Sequence, residues 1–468
     1  MNETAPVKEN KMGTLPIRRL VLGMSLPMMI SMLVQALYNI VDSYFVGMYD
    51  GSYGVAALTI AFPLQNLMIA FGAGTGVGIN ALLSRSLGEK RFDQSDAAAN
   101  NGIFLAAVNY VLFLLLNLTI AGIFVRSQLN TQESAVAIDY AVSYLRIVMC
   151  LSFGLFLQMT FERLLQATGL THLSMISQIT GAVANIILDY MMIFGKGPFP
   201  VLGVAGAAYA TVIGQCLAAC VGLFLNIRFN KELHLSLPQI LHPSRQVIGR
   251  IYYVGIPTIA MMAIGSVMSY LMNLILGRIG GRNAITVFGI YFKLQSFFFM
   301  PVFGLNNGII PILAYNLGAR KPDRIRKTLR FALKLAFGIM LAGTIVFWLF
   351  PEQLMHVFSA PDDVTAMGIV ALRTISIHFP IAAIGIVLGS TFQAFSESMY
   401  SLWISLSRQL IVLIPTAFLL SLTGSVDAVW FCFVIAEIVS LILSVTFYKK
   451  VAAKCIAPLE RDAAAASA

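Results

Sequence analysis

The sequence predicts an all-α polytopic membrane protein of twelve transmembrane helices, arranged as two parallel six-helix repeats. Three observations predict it. Of the 468 residues, 58% are hydrophobic and only 11% charged, too few charges to cover a water-facing surface of this size. Twelve apolar runs are long enough to cross a bilayer. The two halves of the chain also match each other.

A span needs about 20 mostly apolar residues. Such runs lie near 20–44, 54–82, 98–124, 138–161, 173–194, 203–227, 250–276, 284–314, 329–350, 367–392, 401–422 and 425–448. Spans tolerate internal Gly and Pro better than soluble helices do. The residues through Arg19 are polar and basic, and the run that follows is full length without a small-residue cleavage site, so no cleavable signal is expected. The predicted organisation is an N-terminal tail (1–19), a first lobe (20–227), a linker (228–249), a second lobe (250–448) and a C-terminal tail (449–468).

An even number of spans puts both termini on one side. The tails and loops of that side hold 22 Lys and Arg, counting Arg163 as a loop residue; the opposite side holds four. This bias predicts cytoplasmic termini. The formal charge of +10 is therefore a topology signal. The loops are short and lack interleaved aromatics, so no nucleic-acid partner is expected.

Shifted by 230, residues 27–93 align without a gap on 257–323, pairing Pro27 with Pro257, Gln65 with Gln295, Gly74 with Gly304, Gly78 with Gly308 and Gly88 with Gly318. A shift of 227 pairs Leu145-Arg146 with Leu372-Arg373 and Gln166-Ala167 with Gln393-Ala394. A self-match of this kind outranks any single motif. Six spans per half make the repeats parallel, related by an axis along the membrane normal, and two lobes rocking about a central cavity give alternating access.

Ionisable residues inside a span are costly and are default functional candidates. Asp42 lies late in the first span and Asp189 in the fifth, with Asn185 one turn earlier on the same face. Thr211 lies in the sixth. Two carboxylates, an amide and a hydroxyl are hard oxygen donors suited to an alkali cation; the same carboxylates, desolvated together, are equally able to carry a proton. The bland readings make Asp42 and Asp189 helix-end residues and tie the Thr211 hydroxyl to its own backbone. The repeat argues against them. Asp42 pairs with Met272, Asn185 with Val412 and Asp189 with Thr416, and aligning Gln215 on Glu437 pairs Thr211 with Phe433. The scaffold is duplicated and the acids are not, which places a cation-coupling site in the first lobe.

Gln35, Asn39, Gln65 and Gln295 are polar span positions expected to line the cavity. Lys293, which replaces Pro63 of the first half, either pairs with an acid or lines the cavity. Glu437, in the twelfth span, either binds a cationic substrate or pairs with a neighbour. Arg146 and Arg373 read as snorkelling repeat mates. His172 and His378 have no partner at catalytic spacing. Cys150, Cys216, Cys220, Cys432 and Cys455 lack metal-ligand spacing and read as free thiols. No GxxxxGK[ST] phosphate loop and no catalytic cluster is present, so the expected function is transport driven by an ion gradient, with no cofactor and no enzymatic step.

VDSYFVG in the first span, the LGEKRFDQ loop, QATG at 166–169, NIILDYMMIFG and GVAGAAYATVIGQ together resemble the multidrug and toxic compound extrusion (MATE) family over nearly the whole chain. The resemblance implies a V-shaped pair of lobes in the bacterial cytoplasmic (inner) membrane, acting as a monomer that exports amphipathic organic cations in exchange for Na⁺ or H⁺. It also implies a first-lobe ion site at the positions matched here by Asp42, Asn185, Asp189 and Thr211, which would be metal ligands if Na⁺ is the ion. Another branch carries acids in the seventh and tenth spans, where this sequence has none. The competing reading is a lipid-linked oligosaccharide or peptidoglycan-precursor flippase of the same superfamily. A pyrophosphate headgroup calls for several cationic groups in the cavity; here the excess of cations inside the spans is slight, with Lys293 the main candidate.

Overall fold

The computed structural model describes residues 10–127, 135–358 and 361–467; residues 1–9 of the predicted N-terminal tail lie outside them. The described chain is almost wholly helical. Nine of its helices are long and apolar enough to cross a membrane, and each of two bent pairs makes one more by length and composition. The 74-residue helix Arg245–Gly318 counts once, yet it holds a non-helical residue, Gly281, at φ 58 and ψ −149. Only glycine adopts that backbone readily. Dividing the helix there gives twelve segments.

We number these segments α1 (Ile17–Asp50), α2 (Ala56–Gly88), α3 (Phe92–Thr119), α4 (Val136–Cys150 bent into Phe153–Ala167), α5 (Thr171–Phe194), α6 (Val204–Phe229), α7 (245–280), α8 (282–318), α9 (Pro322–Leu349), α10 (Asp362–Ser376 bent into Phe379–Ala394), α11 (Ser398–Ser421) and α12 (Val426–Ala465). Segment boundaries shift from the expected ones by a few residues, because polar first turns and amphipathic ends extend a helix beyond its apolar stretch. Two shifts are corrections. The second arm of α4 runs to Ala167, so Arg163, counted above among loop residues, is a buried helix residue. The expected C-terminal tail 449–468 begins as a continuation of α12 to Ala465.

The repeat is legible in the backbone. The two bent helices break at corresponding places, by 50° in α4 and 48° in α10. The halves meet mainly through the hairpins α1–α2 and α7–α8, and three pairs of repeat-mate glycines set the crossings. A Cβ on Gly74 would lie 2.7 Å from the carbonyl oxygen of Gly255, and one on its mate Gly304 would lie 2.5 Å from Cα of Met29. On Gly78 it would lie 2.1 Å from the Ile251 carbonyl; on Gly308, 2.6 Å from Cα of Ser25. On Gly88 and Gly318 it would strike the carbonyls of Tyr315 and Arg85 at 2.0 and 2.2 Å. Ser25 is 230 residues before Gly255 and Arg85 is 230 before Tyr315, so α2 crosses α7 much as α8 crosses α1. Small residues let backbones touch, and in lipid that contact is what holds helices together.

One end of the molecule collects the loops after α2, α4, α6, α8 and α10 together with both described termini. Asn10 donates to the Glu232 carboxylate of the linker at 2.7 Å and to the Thr168 carbonyl of the first half at 3.1 Å. Asn316 and Arg324, of the second half, donate to the Met12 carbonyl at 3.1 and 3.0 Å. Arg326 pairs with Glu460, and Lys454 with Glu397. Glu232 is half-buried here; desolvation raises its carboxyl above the ordinary glutamate range, with the Asn10 hydrogen bond and the Lys11 charge pulling the other way.

Candidate functional site

The site begins with a close helix contact. Gly181 on α5 and Gly214 on α6 face each other, so that a Cβ on either would lie 2.8–2.9 Å from the other's carbonyl oxygen. That approach sets Asn185 beside Thr211. Asp189, one turn beyond Asn185, is fully buried; Asn185 and Thr211 are 3% and 6% exposed. With its oxygen turned toward Thr211, the Asn185 amide donates to Asp189 Oδ2 at 3.3 Å and accepts from the Thr211 backbone N–H at 3.2 Å. Asn185 thus bridges the α5 carboxylate to α6.

Asp42 approaches from α1, near enough for its charge to act on Asp189. Its Oδ1 is buried without a hydrogen bond. All four residues expected at the site are therefore brought into one neighbourhood, by three helices. An unpaired buried carboxylate oxygen is costly, and two carboxylates in one apolar pocket repel each other unless a cation or proton lies between them. Among the described residues no three His, Cys, Asp or Glu side chains gather as a metal group.

A cavity of about 80 Å³ adjoins this cluster, lined in part by Gln35, Tyr38, Gln158, Glu162, Asn185 and Thr211. Gln35 thus lines a first-half cavity, and its Oε1 accepts from Gln178 at 3.3 Å. The other expected lining residues lie elsewhere. Gln65 is half-buried and donates to the Tyr144 hydroxyl at 3.5 Å. Asn39 is exposed on α1 and Gln295 is half-buried on α8. Lys293 is exposed, with its ammonium 5.9 Å from the Phe358 ring centroid. Glu437 is 3% exposed, inside the second half. It lies 3.6 Å from Arg408 and 3.7 Å from His378. His378, read above as partnerless, also meets the Tyr291 hydroxyl at 3.2 Å; its partners come from other helices, which spacing along one helix does not reveal.

Sequence reasoning missed four groups. Tyr38 precedes Asp42 by one turn and lies in the field of Asp42, Asp189 and Glu162; the (i, i+4) relation was readable. Tyr144, 2% exposed, feels Asp42 and Asp189 and left no local signal. Glu162, 8% exposed, accepts from Gln158 at 2.9 Å. Its neighbour Arg163 fills the space left by Gly76 and donates to Gln166 at 2.9 Å and across the halves to Asn307 at 3.1 Å. Both acid and base sit at the end of an apolar run and read as loop.

Comparison with known proteins places this geometry in a lineage. The MatE family model matches twice, at residues 27–191 and 257–419, once in each half. The multidrug export protein MepA of Staphylococcus haemolyticus is 27% identical over 423 residues, covering 90% of this chain and 90% of the relative. MepA of Staphylococcus saprophyticus is 25% identical and covers 91% and 92%. Among solved structures, a multidrug resistance MATE family transporter of the MOP superfamily in an outward-facing conformation superposes with a TM-score of 0.89 at 24% identity, covering 98% and 100%. A MOP superfamily transporter from Pyrococcus furiosus superposes at 0.85 with 24% identity, covering 97% and 99%. Fold, duplicated scaffold and sequence match converge on one assignment: this multi-pass membrane protein belongs to the MatE family of transporters and is not an enzyme.

Proposed function

We propose that the protein is a secondary active multidrug efflux transporter that exports amphipathic organic cations in exchange for Na⁺ or H⁺, with the ion held by Asp42, Asn185, Asp189 and Thr211. The observation that carries the reading is the gathering of the buried Asp189, Asn185 and Thr211 of α5 and α6 beside a polar cavity, with the half-buried Asp42 of α1, its Oδ1 buried and unbonded, near enough to act on Asp189. A cation or proton entering there relieves the carboxylate repulsion. Its departure restores that repulsion, so the site's preferred helix spacing differs between the two states, which is what alternating access requires. The relatives' multidrug export supports the substrate class. The tight packing of α1–α2 on α7–α8 at the end carrying the termini supports a state closed on that side, and the basic loops there support its being the cytoplasmic side.

Ligand-linked stability tests the ion assignment, because a ligand that binds only the native state raises its melting temperature. Wild type and Asp189→Asn are melted in NaCl against choline chloride at fixed pH, and across pH in choline chloride. A Na⁺-specific rise in wild type, absent from the variant, assigns Na⁺; a pH profile that differs between the two proteins without a Na⁺ effect assigns H⁺. Identical behaviour of the two proteins in both series would contradict the site.

A further inference from the structure

Residues that line the first-half cavity have repeat mates of different chemistry in the second half. Under the internal repeat, Gln158 maps to Gly385, Gly181 to Arg408 and Gln215 to Glu437, and all three first-half residues line the cavity described above. Where the first half carries the long Gln158 side chain, the second half has Gly385, which packs closely on α12. A Cβ built on Gly385 would lie 3.7 Å from Glu437 Oε1, 3.7 Å from Ser444 Oγ and 3.9 Å from Ser440 Oγ. Glu437 is 3% exposed and both serines are fully buried. All three oxygens lack a hydrogen bond, as does Nδ1 of the buried His378, which lies 3.7 Å from Glu437 Oε2.

The one strong charge facing Glu437 is Arg408, and it is poorly engaged. Its guanidinium stands 3.6 Å from Oε1, and its side chain is 28% exposed against 5% for the glutamate. It also sits in a π-helical turn of α11, Ser407–Val412, an irregularity frequent at functional sites. The remaining titratable groups facing the cluster are Tyr291 on α8, which donates to or accepts from His378, and Cys432 on α12. A buried glutamate that loses its cation must gain another neutralising partner. The donor set excludes an alkali ion: such ions want oxygen ligands, while here an imidazole nitrogen and a guanidinium share the carboxylate.

We propose that this second-half pocket is a further proton-binding site, in which Glu437 is neutralised alternately by Arg408 and by a proton. In the protonated state the new O–H bond is on Glu437, whose Oε2 lies 3.7 Å from His378 Nδ1, and Arg408 turns toward the exposed side. Deprotonation breaks that bond, the proton passes to water on the exposed side where Arg408 lies, and the guanidinium returns. The pocket is separate from the Asp42–Asp189 cluster, so it adds a second ionisable switch in the half where the acids of the first are missing.

The test is pH-difference infrared spectroscopy of the full-length protein in lipid, in an Asp42→Asn/Glu162→Gln/Asp189→Asn background that silences the three first-half span carboxyls described above. The expected result is a protonated-carboxyl stretching component that rises reversibly on acidification, persists in the background and is lost on adding Glu437→Gln. Gly385→Ala, whose methyl finds ordinary contact distances, is expected to fold and to move that component in frequency. Carboxyl bands unchanged by Glu437→Gln over the whole pH range in which the protein stays folded would overturn the proposal, since Glu437 would then be paired with Arg408 throughout. Should Glu437→Gln fail to fold, Gly385→Ala decides: a titrating component that does not move overturns it. The readout is the component that depends on Glu437 and Gly385, so its failure and failure of the first-half reading are separate results.

Discussion

The two halves of this transporter share a scaffold and differ in where they place charge. Gly74, Gly78 and Gly88 make the same backbone crossings as Gly304, Gly308 and Gly318, and α4 and α10 bend at corresponding points by almost the same angle. The ionisable side chains do not follow. Asp42 and Asp189 have Met272 and Thr416 as mates; Arg408 and Glu437 have Gly181 and Gln215. Packing constraints act on both copies alike, because each crossing needs its small residue. A buried charge is expensive in either half and persists only where something uses it. Duplication therefore separates what the fold needs from what the chemistry needs.

The comparison breaks most sharply at Asp189. Asp189→Asn is expected to reduce gradient-driven efflux of a fluorescent organic cation to the level of protein-free liposomes, while Thr416→Val, at the mate position, leaves it near wild type. Equal losses in both would mean that position, not charge, matters. Next come the crossings. Gly78→Ala and Gly308→Ala both drive a methyl into main-chain or Cα atoms at 2.1–2.6 Å. Overpacking of this kind costs about 1–3 kcal/mol, and the two losses in thermal or denaturant stability are expected to be similar. A loss at only one would show that the halves are not equivalent in packing.

Asn307→Val gives α8 the residue that its mate Val77 already has in α2, and removes the inter-half hydrogen bond from Arg163. A hydrogen bond to a charged group contributes about 1.5–3 kcal/mol. Chemical-denaturation curves are expected to show a loss in or below that range, with no change in the ion that drives efflux. The smallest effect is expected at Glu232. Burial raises its folded-state value, so its contribution to stability is complete below the ordinary glutamate range and is lost as pH rises through the folded value. Melting temperature followed from about pH 4 upward should fall slightly more in wild type than in Glu232→Gln; parallel curves would remove Glu232 from the account.

Much of this was legible in the sequence because membranes impose simple rules. Span length, basic-loop bias and a gapless self-match lead directly to helix number and pairing, and the rarity of acids in spans leads to Asp42 and Asp189. What stayed hidden depends on contacts between distant helices. Arg163 reads as a loop residue until Asn307 and Gly76 are seen around it, and His378 reads as partnerless until Tyr291 and Glu437 approach from α8 and α12. Gly281 was the reverse case: its break in α7–α8 restores a boundary that the sequence had placed between 276 and 284 and that helix continuity alone conceals.

If the first half carries the coupling, loss of its α1 carboxylate uncouples transport. Efflux of a fluorescent organic cation is followed from loaded proteoliposomes with Na⁺ and pH gradients imposed separately, for wild type and Asp42→Asn. Efflux driven by one of the gradients is expected in wild type and is expected to be lost in Asp42→Asn. Wild-type efflux from Asp42→Asn, or no response of wild type to either gradient, would contradict first-half coupling.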